Sequence, residues 1–295
     1  MQRWHWRLEA IGIVVLLLPL LLYAIPHFQR PPQTLEAYPL FQGITYRREA
    51  LFRPRPIVLH TVSIDLNAPG VEAFVTPGTP KPNDQEINAR TTSEFLQEFK
   101  LQLAVNANFF YPFEEDGVWR FYPHSGDRVN AVGQAISNGQ AYSAAESSFP
   151  VVCFAGRRAQ VAVTGICPVG TQQAVAGSPA LVLQGKPVPP PQNAPDNNGL
   201  YSRTVLAINA TGEKLWLLAV DDKQPLYSEG VTLAEMTELV LRLGADSAVN
   251  LDGGGSTTLV RAMGGQPKLL NAAIHTRIPL RERPVANHLG FYAKS

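Results

Sequence analysis

From Ser247 to Val260 the chain reads SAVNLDGGGSTTLV. Three successive glycines behind one aspartate, followed at once by hydroxyl and β-branched residues, restrict the available folds more than any other stretch. Glycines accept positive φ, and their amides can point together at an anion. A phosphate-binding P-loop needs a lysine and then a helix after its glycines, and a dinucleotide fingerprint also continues as a helix. Here Ser256, Thr257, Thr258, Leu259 and Val260 follow, and they favour a strand. The reading is therefore strand, turn, strand. Asp252 stands at the end of a buried strand, with glycine amides and the Ser256 and Thr257 hydroxyls around it. A tight turn that the aspartate merely caps is the competing reading.

The rest of the chain fits a β-rich frame. Among 295 residues there are 25 prolines and 23 glycines, so turns are frequent and strands short. Hydrophobic residues make up 45% and charged residues 17%, enough apolar content for a packed core. The clearest hairpin is SRTVLAINATGEKLWLLAVDD, residues 202–222, with two alternating runs around NATG. The clearest helix is TLAEMTELVLRLG, residues 232–244. It opens at a threonine cap, places Leu233, Met236, Leu239, Val240 and Leu243 on one face, and stops at Gly244. A shorter helix is predicted over residues 91–100, and PPPQNAPDNN, residues 189–198, reads as a surface loop. No internal repeat appears. The fold class is α+β: mixed or antiparallel sheets with a few packed helices, in one domain over residues 41–295.

Residues 1–40 are set apart. MQRWHWR is cationic, and Ala10–Ile25 is a run of 16 apolar or small residues without charge. This is a signal peptide or a short membrane anchor. No small-x-small cleavage site follows, and Trp4, Trp6 and Tyr23 bracket the run like interfacial aromatics, both of which favour an anchor. The basic tip keeps Met1 cytoplasmic and exports the domain to the periplasm or exterior; cleavage of the signal would make the protein secreted. Pro26–Pro39 reads as a spacer. In an exported protein Cys153 and Cys167 are a candidate disulfide, with two free thiols as the alternative. The formal net charge of +1 provides no basic field for nucleic acid.

Other polar groups sit where strands end. Asn106 and Asn108 lie in VNANFF, Arg203 and Thr204 precede an apolar run, and Asp221 and Asp222 close the second hairpin strand. Glu282, Arg283, Asn287 and His288 cluster in RERPVANH. Each has a bland reading: amides satisfying a turn, an edge cation, turn carboxylates. No His/Cys/carboxylate cluster has metal-ligand spacing, so neither a required metal nor another cofactor is expected.

The ordered set VNANFF, GSPALVLQGK, the 202–222 hairpin, GVTLAEMTELVLRLGADSAVNLDGGGSTTLV and ERPVAN resembles the phosphodiester glycosidase family over about residues 60–293, most densely over 199–293. The resemblance implies hydrolysis of a sugar-1-phosphodiester of the N-acetylglucosamine-1-phosphate type, in an envelope or extracellular polymer. It marks Asn106, Arg203, Thr204, Asp221, Asp252, Gly253, Gly254, Ser256, Glu282, Arg283 and Asn287. Two positions depart from the family pattern: Ala107 and Asp222 stand where glycines are usual. Cleavage at an anomeric carbon passes through an oxocarbenium-like state that carboxylates stabilise. Asp252 is then the first choice for nucleophile or base and Glu282 the second. Arg203 and the glycine amides would hold the phosphate, and the Asn106 and Asn108 amides can orient a sugar hydroxyl or a carboxylate. This scheme requires Asp252 and Arg203 to converge on a cleft beside the glycine bend. A non-catalytic carbohydrate-binding module and a structural envelope protein are the rival functions.

Overall fold

Runs of alternating and wholly apolar residues separated by turn formers give a stack of antiparallel sheets in the computed structural model, which describes residues 14–15, 17–19, 24, 27–79, 86–189 and 199–294. In chain order the elements that matter here are β1 (Glu36–Phe41), β2 (Ile44–Leu51), β3 (Ile57–Asp65), β4 (Glu72–Val75), α1 (Thr92–Glu98), β5 (Leu103–Asn106), β6 (Glu114–Glu115), β7 (Phe121–Tyr122), β8 (Ala180–Leu183), β9 (Arg203–Ile208), β10 (Lys214–Val220), α2 (Leu233–Arg242), β11 (Ser247–Asn250), β12 (Leu259–Met263), β13 (Gln266–Leu269) and β14 (His288–Tyr292). The first sheet runs β1-β2-β3-β10-β9-β11-β8 and ends on Lys186–Pro187; the second runs β13-β12-β5-β14-β4. A third sheet holds Gln140–Ser143, Ala135–Ser137, Gln173–Ala176, Val151–Ala155 and Arg158–Ala162 in that order.

The strand alternation explains the layering. Leu206 and Ile208 of β9 face Leu103, Val105, Leu289 and Phe291 of the second sheet across a common core. Val205 and Ala207, on the other face of β9, pack with Leu233, Met236 and Val240 of α2. On the far side of the second sheet, Phe95 and Leu96 of α1 meet Ala104 and Val260. The order is helix, sheet, sheet, helix, so β9 and β10 are covered on both faces and read as near-continuous apolar runs. Both helices open with a capping box, Thr91 with Glu94 and Thr232 with Glu235.

The 202–222 hairpin forms as expected, pairing Arg203 with Val220 through Ile208 with Leu215. Its Gly212 has φ +71°, and a Cβ there would lie 2.2 Å from the Ala159 carbonyl oxygen. The spacer expectation over Pro26–Pro39 changes: Glu36–Phe41 is an edge strand paired to β2, and Pro39 is tolerated because an edge leaves one side of the ladder empty. Cys153 and Cys167 are joined in a disulfide with Cα atoms 5.7 Å apart. The anchor expectation over Ala10–Ile25 falls mostly outside the described residues, and among the described residues no helix is long and apolar enough to cross a membrane. The loop expectation over residues 189–198 also lies outside them, apart from Pro189.

Candidate active site

At one end of the sandwich β5 and β11 finish and β9 begins. Leaving β11, the chain bonds first to the first sheet (Leu251 N to Thr204 O, 2.8 Å) and then to the second (Asp252 N to Ala107 O, 2.9 Å). The glycine bend therefore spans the gap between the two sheets. Buried Asn106 ties both arms of the bend. Its Nδ2 donates to Asp252 O (2.6 Å), and its Oδ1 accepts from Thr258 N (3.1 Å) and the Thr204 hydroxyl (3.0 Å).

Each glycine has its own reason. A Cβ on residue 253 would lie 2.6 Å from Ser202 O; Gly254 has φ +57°; a Cβ on residue 255 would lie 2.5 Å from Arg283 Nη2. Residues Gly254–Ser256 form a single 3-10 turn, and the chain re-enters a strand at Leu259, as expected.

The guanidinium resting on Gly255 organises the site. Arg283 Nη1 donates to Ser256 Oγ (3.1 Å), Nε donates to His275 Nδ1 (3.3 Å), and Nη2 pairs with the Glu115 carboxylate. Its face lies 4.4 Å from the Phe113 ring centroid. Asp252 is half-buried beside this group. Burial pushes its carboxyl up to about 6, against the Ser256 hydroxyl, the Arg283 charge and the Gly253 amide, which all favour the anion. His275, buried and next to Arg283, is pushed down to about 4 by burial first and by that charge second. It is the neutral acceptor its hydrogen bond requires. The arrangement offers a carboxylate raised to about 6, a hydroxyl and a fixed cation, the groups a general base and an anion subsite need.

The structure sorts the sequence-predicted residues into two classes. Asp252, Gly253, Gly254, Ser256 and Arg283 come together. Thr204 is buried behind them, with its hydroxyl on Asn106 and Thr257.

Asn108 and Asn287 form a closed pair. Asn287 Oδ1 accepts from Asn108 N (2.8 Å), and its Nδ2 donates to Asn108 Oδ1 (3.1 Å) and the Tyr142 hydroxyl (3.1 Å). With Asn106 they hold backbone, and their amides are occupied by protein.

Asp221 is also fully engaged. Oδ2 accepts from His60 Nε2 (3.0 Å), and Oδ1 accepts from Asn271 Nδ2 (3.0 Å) and Ala272 N (3.0 Å).

Two expectations are corrected by side-chain direction. Arg203 lies against the bend with its backbone, its Cα 3.7 Å from where a Cβ on residue 253 would sit. Its side chain follows Val205 to the helix face of the sheet, where Nε donates to Val231 O (3.5 Å) and the guanidinium lies 5.1 Å from the Tyr201 ring centroid. Arg283, not Arg203, is the cation that acts on Asp252. Glu282 turns opposite to its neighbour Arg283, and its Oε2 accepts from Ser93 N (2.9 Å) at the start of α1. It caps a helix rather than pairing with Asp252.

The sequence reading missed Glu115, His275 and Phe113 as site members. The aromatic content of residues 113–122 was the only signal. Asp222 is 1% exposed and neither of its carboxylate oxygens reaches a hydrogen-bond partner among the described residues. Burial raises its pKa, tempered by the nearby Ser202 amide.

Residues 99–292 match the family described as phosphodiester glycosidase. No curated protein matches the chain by sequence. Among solved structures, a hypothetical protein from Synechocystis superposes with a TM-score of 0.64 at 16% identity, covering 90% of this chain and 64% of that one. This chain therefore spans under two thirds of the Synechocystis protein's length. A Burkholderia pseudomallei K96243 protein gives 0.62 at 14% identity, covering 89% and 98%. The zebrafish N-acetylglucosamine-1-phosphodiester alpha-N-acetylglucosaminidase catalytic domain, auto-inhibited by its pro-peptide, gives 0.57 at 18% identity, covering 92% of each chain. At these identities the likeness is one of fold.

Proposed function

The chain belongs to the phosphodiester glycosidase family, and from that premise we propose that it hydrolyses a sugar-1-phosphodiester, of the N-acetylglucosamine-1-phosphate type, in an envelope or extracellular glycan. The observation that carries the reading is a carboxylate on the glycine bend, raised to about 6, in the field of the Arg283 guanidinium that also binds the Ser256 hydroxyl. The sugar's C1–O bond breaks, and its electron pair leaves with the phosphate oxygen, giving a phosphomonoester. Phosphate is a competent leaving group, so neutralising its charge matters more than protonating it. Arg283 and Ser256 supply that neutralisation. Asp252 acts in its ionised form, either taking the proton of the water that attacks C1 or attacking C1 itself to form a glycosyl ester that water then cleaves, restoring the carboxylate.

The exported, membrane-tethered placement is part of the same proposal. It is supported by the apolar run Ala10–Ile25 and by the Cys153–Cys167 disulfide, which suits an oxidising compartment. The test is release of free N-acetylglucosamine from an N-acetylglucosamine-1-phosphodiester by the purified full-length protein. Turnover lost in Asp252→Asn supports the assignment. Binding of sugar phosphates without turnover, across a panel of sugars, would replace it with a carbohydrate-binding module.

A further inference from the structure

Residues Phe113–Arg120 are exposed, and β6 and β7 pair through only two residue couples, Glu114 with Tyr122 and Glu115 with Phe121. A hairpin this short does not hold its own shape. It is held to the body by a few contacts on one segment. The Glu115 carboxylate pairs with Arg283 Nη2. Arg281 Nη1 donates to Val118 O (2.8 Å), and Phe121 meets His275 edge-on at 4.7 Å between centroids.

The Arg283 fork is thus divided. One nitrogen reaches Ser256 on the glycine bend, and the other is taken by an anion carried on the exposed hairpin. A carboxylate oxygen presents the same charge and acceptor chemistry to a guanidinium as a phosphate oxygen does.

We propose that Glu115 is a tethered anion filling the outer half of the phosphate subsite, which the phosphate of substrate or product must displace, so that hairpin β6–β7 shifts whenever the subsite is occupied. The inference rests on reading Arg283 as the phosphate ligand. When the product leaves, the return of Glu115 to Arg283 competes with the phosphomonoester and favours its release.

Inorganic phosphate is the probe. Titrated calorimetrically into the full-length protein, it binds Glu115→Gln about three- to tenfold more tightly than wild type, because an opposing charge has been removed from a partly exposed pair. Glu114→Gln, one residue away on the same exposed strand, stays within about twofold of wild type. Trp119 lies at the tip, 79% exposed, with the Arg281 guanidinium 5.5 Å from its ring centroid. Phosphate therefore changes the tryptophan emission of the wild type, and Trp119→Phe abolishes that change.

Equal or weaker phosphate binding by Glu115→Gln, or no phosphate binding by any of the proteins, overturns the proposal. So does phosphate binding that leaves Trp119 emission untouched. Tighter binding by Glu115→Gln in a protein that cleaves no sugar phosphodiester would refute the hydrolase reading and leave this inference standing. Normal turnover with unchanged phosphate affinity would do the reverse.

Discussion

Asp221 and Asp252 both follow buried strands of the same sheet, yet their surroundings are opposite. Asp221 is sealed: His60, Asn271 and Ala272 saturate its oxygens, and His60 in turn bonds the buried Tyr46 hydroxyl at 2.8 Å. Through Asn271, whose Nδ2 also donates to Thr257 O (3.0 Å), this network fixes the strand that leaves the glycine bend. Asp252 is half-covered, and its pKa is raised because nothing nearby repays the loss of water in full. A carboxylate whose partners are complete holds structure; one left short of partners beside a cation can exchange a proton with a substrate.

The comparison breaks most visibly by exchanging the two roles. Asp252→Asn should lower kcat by about 10²–10⁴-fold without lowering the melting temperature. Asp221→Ala should cost about 3–5 kcal/mol of stability, because it strands the buried His60 and Asn271 donors. Below its melting point the folded fraction should keep a kcat close to wild type. Steady-state kinetics and thermal melts on both variants read the four outcomes, and a catalytic defect in Asp221→Ala larger than that in Asp252→Asn would reverse the assignment.

The two arginines sharpen the same contrast. Arg283→Ala removes the cation on Asp252 and Ser256 and should reduce kcat/KM by about 10²–10³. Arg203→Ala acts on the helix face and should appear chiefly in the melting temperature.

A smaller effect is thermodynamic. Folding raises the Asp252 pKa from 3.8 to about 6, so its contribution favours the folded state below pH 4 and is lost as pH rises toward 6. Asp252→Asn should then be more stable than wild type by about 2–3 kcal/mol at pH 7, with the gap closing by pH 4. Urea unfolding at the two pH values measures it.

The sequence showed most where the signal is local. The β9–β10 hairpin, α2 with its cap and the glycine bend are short-range patterns, and each formed where expected. Side-chain direction at strand ends was not legible. Arg203 and Thr204 are adjacent, as are Glu282 and Arg283, and one member of each pair points at the bend while the other leaves it. Register decides the first pair, which lies on β9; Glu282 and Arg283 lie in an irregular connection whose path no periodicity announces. Glu115 reaches Arg283 from 168 residues away on a two-rung hairpin, and no spacing rule announces such a contact. β1 was hidden because Pro39 reads as linker until its partner strand is known to leave it at an edge.

The most direct test of the central claim is the pH dependence of kcat/KM on an N-acetylglucosamine-1-phosphodiester. An ionised Asp252 as base or nucleophile gives an acid limb with an apparent pKa near 6, the rate falling tenfold for each pH unit below it. A rate that stays flat from about pH 4.5 to 7, or one that rises as the solution is acidified through 6, would contradict the account.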